Sequence, residues 1–134
     1  DLRARLLDPS ILALPRKEGL FTLDTDASQE QIGCCLLQTH PDGTRHPIGY
    51  WSRGSTSAER NYSTTERECL AIVWAVLHLR PYLEGQWFLI RTDHASLRWV
   101  MIMSDAQGRL ARWRFRLLEF DFEIKYSPGA IHHG

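Results

Sequence analysis

Apolar and polar positions along the chain switch between two periods, and each switch predicts an element. Over residues 21–26, Phe21, Leu23 and Thr25 point one way and Thr22, Asp24 and Asp26 the other, the period-two pattern of a strand. Residues 32–37 form a nearly continuous apolar run, which predicts a strand buried on both faces. Pro41-Asp42-Gly43 is a turn signal, and residues 45–52 return as a third strand, so the first part of the chain predicts a three-strand meander. A helix follows: Ser63, Thr64 and Thr65 offer N-caps, Ser63-x-x-Glu66 fits a capping box, and Pro81 ends it. Its segment 70–79 is apolar nearly all round, as expected of a helix packed against a sheet on one side and more structure on the other.

Residues 87–93 read as a fourth strand running into an acid, 94–101 as a short helix, and 108–120 as a clearer one. In that last helix Leu110, Trp113, Leu117 and Phe120 make an apolar stripe, with Arg109, Arg112 and Arg116 expected on the opposite face. Residues 121–126 are a fifth strand, and Pro128-Gly129 turns the chain out of it. At the other end, residues 1–13 suggest a short amphipathic helix limited by Pro9, then an extended piece to about Pro15. Three strands, helix, strand, helices, strand is the order of an α/β domain. Its helical crossovers allow the fourth and fifth strands to pair in parallel, giving a mixed five-stranded sheet flanked by helices.

Composition narrows the functional classes. With 134 residues the chain predicts one domain, and its 43% hydrophobic and 24% charged residues exclude a disordered tail, a collagen-like repeat and a disulfide scaffold. Sixteen basic and sixteen acidic residues cancel, so any nucleic-acid contact must come from a local patch rather than from bulk charge. No apolar run reaches the roughly 18 residues of a membrane span, and Asp1-Leu2-Arg3-Ala4-Arg5 has no signal-peptide character; no membrane partner is expected. Cys34, Cys35 and Cys69 are odd in number and two are adjacent, which predicts reduced, buried cysteines of an intracellular protein.

Three carboxylates stand where chemistry is expected. Asp26 and Asp93 end the first and fourth strands, and Glu68 lies in the first turn of the apolar helix. If those strands are parallel neighbours, Asp26 and Asp93 emerge side by side at their carboxyl ends, where open α/β sheets place their sites. Converging carboxylates repel unless a cation neutralises them, and an oxygen-only set suits Mg²⁺ or Mn²⁺. Two such ions about 4 Å apart would clamp the attacking and leaving oxygens of a phosphodiester. Each acid also has a plainer explanation. Asp26 can open an Asx-turn, Glu68 can close a capping box with Thr65, and Asp93 can N-cap the helix beginning at His94. Asp24 shares a strand face with Asp26 and competes for the metal role. An EF-hand is excluded because Gln29 and Cys35 occupy the positions that need Gly and Glu, and His132-His133 has no partner at zinc-ligand spacing.

The words of the sequence are themselves informative. Leu23-Asp24-Thr25-Asp26-Ala27-Ser28, Ile32-Gly33, and His46-Pro47-Ile48-Gly49-Tyr50-Trp51-Ser52-Arg53 are followed by Asn61-Tyr62-Ser63-Thr64-Thr65-Glu66-Arg67-Glu68-Cys69-Leu70-Ala71. Then come Arg91-Thr92-Asp93-His94, Gly108-Arg109-Leu110-Ala111-Arg112-Trp113 and Phe120-Asp121-Phe122-Glu123-Ile124-Lys125-Tyr126. In order and spacing, over nearly the whole chain, this resembles the ribonuclease H domain of the reverse transcriptase polyprotein of gypsy-type LTR retrotransposons.

The resemblance implies the ribonuclease H-like fold and hydrolysis of the RNA strand of RNA–DNA hybrids during reverse transcription. It carries the family's metal-binding acids onto Asp26, Glu68 and Asp93, with Asp26 rather than Asp24 matching the first. It implies two Mg²⁺ ions, Mn²⁺ as a substitute, and no small-molecule cofactor. One ion would activate water and the other would stabilise the departing 3′ oxygen. Residues 1–16 resemble the connecting segment from the preceding reverse transcriptase region, and 17–134 the ribonuclease H domain. A fourth family acid follows the last strand, and the sequence stops before it. His132 or His133 is a candidate for the mobile His of some ribonucleases H. Ser28, Arg109, Arg112 and Arg116 are candidates for contact with nucleic acid. Partners would be the hybrid and the fused or adjacent polymerase domain. The expected place is a cytoplasmic retroelement particle, with the nucleus as the alternative. The rival reading is a non-catalytic scaffold or nucleic-acid-binding module of the same fold, connection-like or domesticated.

Overall fold

The computed structural model describes residues 19–93 and 108–127. Five strands form one sheet: β1 (Leu20–Ala27), β2 (Gln31–Thr39), β3 (Arg45–Gly54), β4 (Trp87–Thr92) and β5 (Asp121–Tyr126), in the spatial order β3-β2-β1-β4-β5. The β1–β2 and β2–β3 pairs are antiparallel, and β1–β4 and β4–β5 are parallel. This is the mixed sheet that the order of elements predicts. The expected helices at 1–13 and 94–101, the turn at Pro128-Gly129, and His132 and His133 lie outside the described residues.

Because β1 is the central strand, both of its faces are covered. Phe21 through Thr25 are all buried, so period two sets which face each residue takes but not its exposure. β3 is an edge strand, which is where Pro47 is tolerated, since it has no N–H to donate. A register shift between Leu36 and Leu37 leaves Ile48 extra opposite β2. Gly49 faces the Trp51 indole so closely that an added Cβ would sit 2.5 Å from the ring. Gly43 takes φ +86° in the β2–β3 turn, where Asp42 Oδ1 accepts from the Thr44 N–H and hydroxyl.

Helix α1 (Thr64–His78) crosses from β3 to β4. Ser63 caps it: its side chain accepts from the Glu66 N–H, and the Glu66 carboxylate accepts from the Ser63 N–H. That box belongs to Ser63 and Glu66, so Glu68 is not engaged by a Thr65 cap and is left to the interior. Cys69, Ile72, Val73, Ala75 and Val76 pack into one core with Leu23, Leu36, Phe88 and Ile90 of the sheet, and Leu70 and Ala71 pack with Ile32 in a second cluster. The helix stops at His78. Pro81 sits early in a separate short helix α2 (Arg80–Leu83), where its missing N–H costs nothing, rather than acting as the terminator itself. Helix α3 (Gly108–Leu117) is shorter than expected, although Phe120 beyond it is still buried. All three cysteines are free and buried.

Ser63→Ala removes one side of the capping box and should cost about 1 kcal/mol, a drop of roughly 3–5 °C in melting temperature. Thermal denaturation checks this, and an unchanged midpoint would deny the cap its role.

Candidate active site

The three acids reach one end of the sheet from three elements. Asp26 lies near the carboxyl end of β1 and is exposed, and Asp93 directly follows β4. Their strands are parallel neighbours in a register that pairs Asp24 with Arg91, so two residues further on Asp26 comes beside Asp93. Glu68 enters from α1; with Ser63 as the N-cap it is the fifth helical residue and opens the second turn, not the first as expected. The residue is 8% exposed, and its Oε2 is buried with no hydrogen-bond partner.

Electrostatics marks Glu68 as the strained member. Burial first, then the charges of Asp93 and Asp26, push its carboxyl up to about 7, against a small opposing pull from Arg67. Two carboxylates thus act on a third that has an unsatisfied buried oxygen, and hard oxygen donors of this kind are those a divalent cation takes. Among the described residues no three acidic, His or Cys side chains yet close on a single point. Side-chain rotation would therefore have to complete such a site.

The sign of the resulting pH dependence is definite. Between pH 4.5, the ordinary carboxyl value, and about 7, native Glu68 keeps a proton that the unfolded chain has released. Stability therefore falls as pH rises through this window, by up to about 3 kcal/mol from this group alone. Melting of the metal-free chain from pH 5 to pH 8 should show that loss, and Glu68→Gln should flatten it. An equal slope in the variant would remove Glu68 as its source.

Asp24 has a different job. Its carboxylate takes two hydrogen bonds from Arg91, Nε to Oδ1 and Nη2 to Oδ2, both at 2.6 Å. Burial pushes the Asp24 carboxyl upward, and the Arg91 guanidinium offsets part of that cost while being held charged itself. The spacing held the signal for this pair. Asp24-x-Asp26 and Arg91-x-Asp93 on parallel strands put Asp24 beside Arg91 whenever Asp26 is beside Asp93.

The other candidate residues scatter. Ser28 is exposed at the β1–β2 turn, where its hydroxyl accepts from the N–H groups of Glu30 and Gln31. Arg109 is not opposite the apolar stripe of α3. It lies one turn from Trp113, donates to Glu66 Oε2 at 2.6 Å, and stacks over the Tyr62 ring at 4.1 Å. Arg112 and Arg116 are exposed, and Arg116 borders a groove with Trp74, Leu77 and Trp113.

Comparison with known proteins gives a consistent result. Residues 16–120 match the model of an RNase H-like domain found in reverse transcriptase. The chain is 39% identical to the retrovirus-related Pol polyprotein from transposon 412 of Drosophila melanogaster and 44% identical to that from transposon 297, over 98% and 96% of its length. It is 37% identical over 99% of its length to the transposon Tf2-3 polyprotein of Schizosaccharomyces pombe. It spans only 11%, 12% and 10% of those relatives, respectively. Among solved structures, the foamy viral protease-reverse transcriptase in complex with an RNA/DNA hybrid aligns with 87% of this chain and 16% of its own, at TM-score 0.67 and 17% identity. RNase H1 from Halobacterium salinarum NRC-1 aligns with 86% of this chain and 89% of its own, at TM-score 0.56 and 14% identity. At these identities the structures establish the fold.

Proposed function

Because the chain belongs to the RNase H-like domain family of reverse transcriptases, we propose that it hydrolyses the RNA strand of RNA–DNA hybrids, with Asp26, Glu68 and Asp93 holding the divalent cations. The observation that carries this reading is the placement of Asp26 beside Asp93 at the carboxyl ends of β1 and β4, with the charges of both acting on a buried Glu68 carboxyl that has one unsatisfied oxygen. Mg²⁺ or Mn²⁺ ions bound there supply Lewis-acid activation of water and stabilisation of charge on the phosphodiester oxygens.

The protein's own share is positioning. Asp26 is exposed and open to an incoming backbone, whereas Glu68 is buried and carries its charge reluctantly, so occupancy of the site is coupled to loss of the Glu68 proton. Holding the acids on strand ends and a capped helix fixes their backbones before substrate arrives and leaves only side-chain rotation to complete the site, which lowers the cost of orientation. Recognition of the hybrid rests on backbone shape and 2′-hydroxyls rather than sequence. Ser28, Arg112 and Arg116 are exposed candidates for that contact. With zero net charge, the domain gains affinity from the adjacent polymerase region of its parent polyprotein.

An end-labelled RNA–DNA hybrid tests the proposal, with duplex RNA and duplex DNA as controls, in Mg²⁺ and in Mn²⁺. Cleavage confined to the RNA of the hybrid and abolished by chelation is the expected result. Silence in both metals would favour the non-catalytic scaffold.

A further inference from the structure

We propose that Arg109 is a positioning residue for the acidic site: it clamps the first turn of α1 and so holds Glu68 in place opposite Asp26 and Asp93. The inference rests on the metal-dependent reading above.

The clamp has two jaws. In the first, the Glu66 carboxylate is used twice. Oε1 accepts from the Ser63 N–H at 3.0 Å to close the capping box, and Oε2 accepts from Arg109 Nη1 at 2.6 Å. In the second, the Tyr62 ring lies under the Arg109 guanidinium and against the Trp113 ring, centroids 5.9 Å apart. Arg109 and Trp113 are one turn apart on α3, so a single face of that helix grips the residue before the N-cap and the third residue after it. Arg67 adds a bond from its Nη2 to the Tyr62 carbonyl at 3.2 Å, inside the same turn.

Glu68 lies two residues beyond Glu66, and its buried carboxylate faces two other acids. When all three are ionised, their repulsion pushes on the start of α1 just beyond its first turn, the part of a helix with the fewest backbone hydrogen bonds of its own. The charges acting on the Glu68 carboxyl come from Asp93, Asp26 and Arg67. Arg109 therefore works through the position of the helix. Its side chain is 40% exposed and that of Glu66 28%, so their pair adds little to global stability. A loss of metal affinity on removing Arg109 would thus not be a by-product of unfolding.

Arg109→Ala and Arg109→Lys, in the full chain, test this with three readouts. The first is amide exchange at Arg67 and Glu68 beside the β4 amides. The second is titration with Mn²⁺ alone, followed by electron paramagnetic resonance. The third is kcat and KM for hybrid cleavage. Arg109→Ala should speed exchange at Arg67 and Glu68 several-fold and leave β4 unchanged. It should also weaken Mn²⁺ binding about tenfold, the low end for losing a group that orients a metal ligand. In cleavage it should lower kcat at unchanged KM, and the Lys variant should recover a large part of each loss. A raised KM with kcat, Mn²⁺ affinity and exchange all unchanged would make Arg109 a phosphate contact and overturn the proposal. If the wild-type chain takes up no Mn²⁺ and cleaves nothing, the functional reading fails. The exchange readout then decides the clamp alone: faster exchange in the variant supports it, and unchanged exchange overturns it.

Discussion

Asp26→Asn should abolish hybrid cleavage while leaving the melting temperature close to that of the wild type. Asp26 is exposed at the end of β1, so an amide of the same size disturbs no packing there. It does remove one charge from the set proposed to hold the cations. Losing a Lewis-acid contribution of several kcal/mol corresponds to a rate loss on the order of a thousandfold or more. Asp24→Asn is the informative contrast, two residues away on the same strand face. It weakens a buried pair with Arg91 and should lower stability, yet the protein that remains folded should still cleave. Measuring initial rates and thermal melts for both variants separates the roles. If Asp24→Asn alone silenced the folded enzyme and Asp26→Asn did not, the assignment of the two acids would be reversed.

Arg91→Ala should be the most destabilising single change at this end of the sheet. The Arg91 side chain is 14% exposed and that of Asp24 only 5%, and the two are joined by a bidentate pair across β1 and β4. Removing the cation leaves a buried carboxylate uncompensated, at a cost of about 3–5 kcal/mol. For a domain of this size that lowers the melting temperature by roughly 10–20 °C. Replacing both partners with apolar residues, as in Asp24→Val with Arg91→Met, should recover most of the loss because no charge is then stranded. Urea unfolding at pH 7 checks both variants. A cost below about 1 kcal/mol for Arg91→Ala would place the pair among surface ion pairs.

Much of the fold was legible locally. Alternation at 21–26, the apolar run at 32–37 and the turn at Pro41-Asp42-Gly43 mark the meander, and Ser63-x-x-Glu66 marks the start of α1 to the residue. The three acids were legible as well, since each stands at the end of a predicted strand or near the start of a predicted helix. Their competitors were harder to dismiss. Whether Glu68 served a cap at Thr65 was settled by Ser63 and Glu66 forming the box between them. The choice between Asp24 and Asp26 depended on what lies across β4. The face taken by Arg109 was misjudged because residues four apart on a helix lie about 40° apart around its axis, so Arg109 borders Trp113 rather than opposing it.

The amino-acid sequence by itself determined the elements, their order, the helix cap and the set of candidate acids, because those features arise from interactions among residues a few positions apart. Tertiary structure decided the partners. Asp24 meets Arg91 across 67 residues, and Glu66 meets Arg109 across 43. Such pairs exist only once strand register and the rotation of one helix against another are set. Register and rotation follow from packing the whole core at once, which no local pattern encodes.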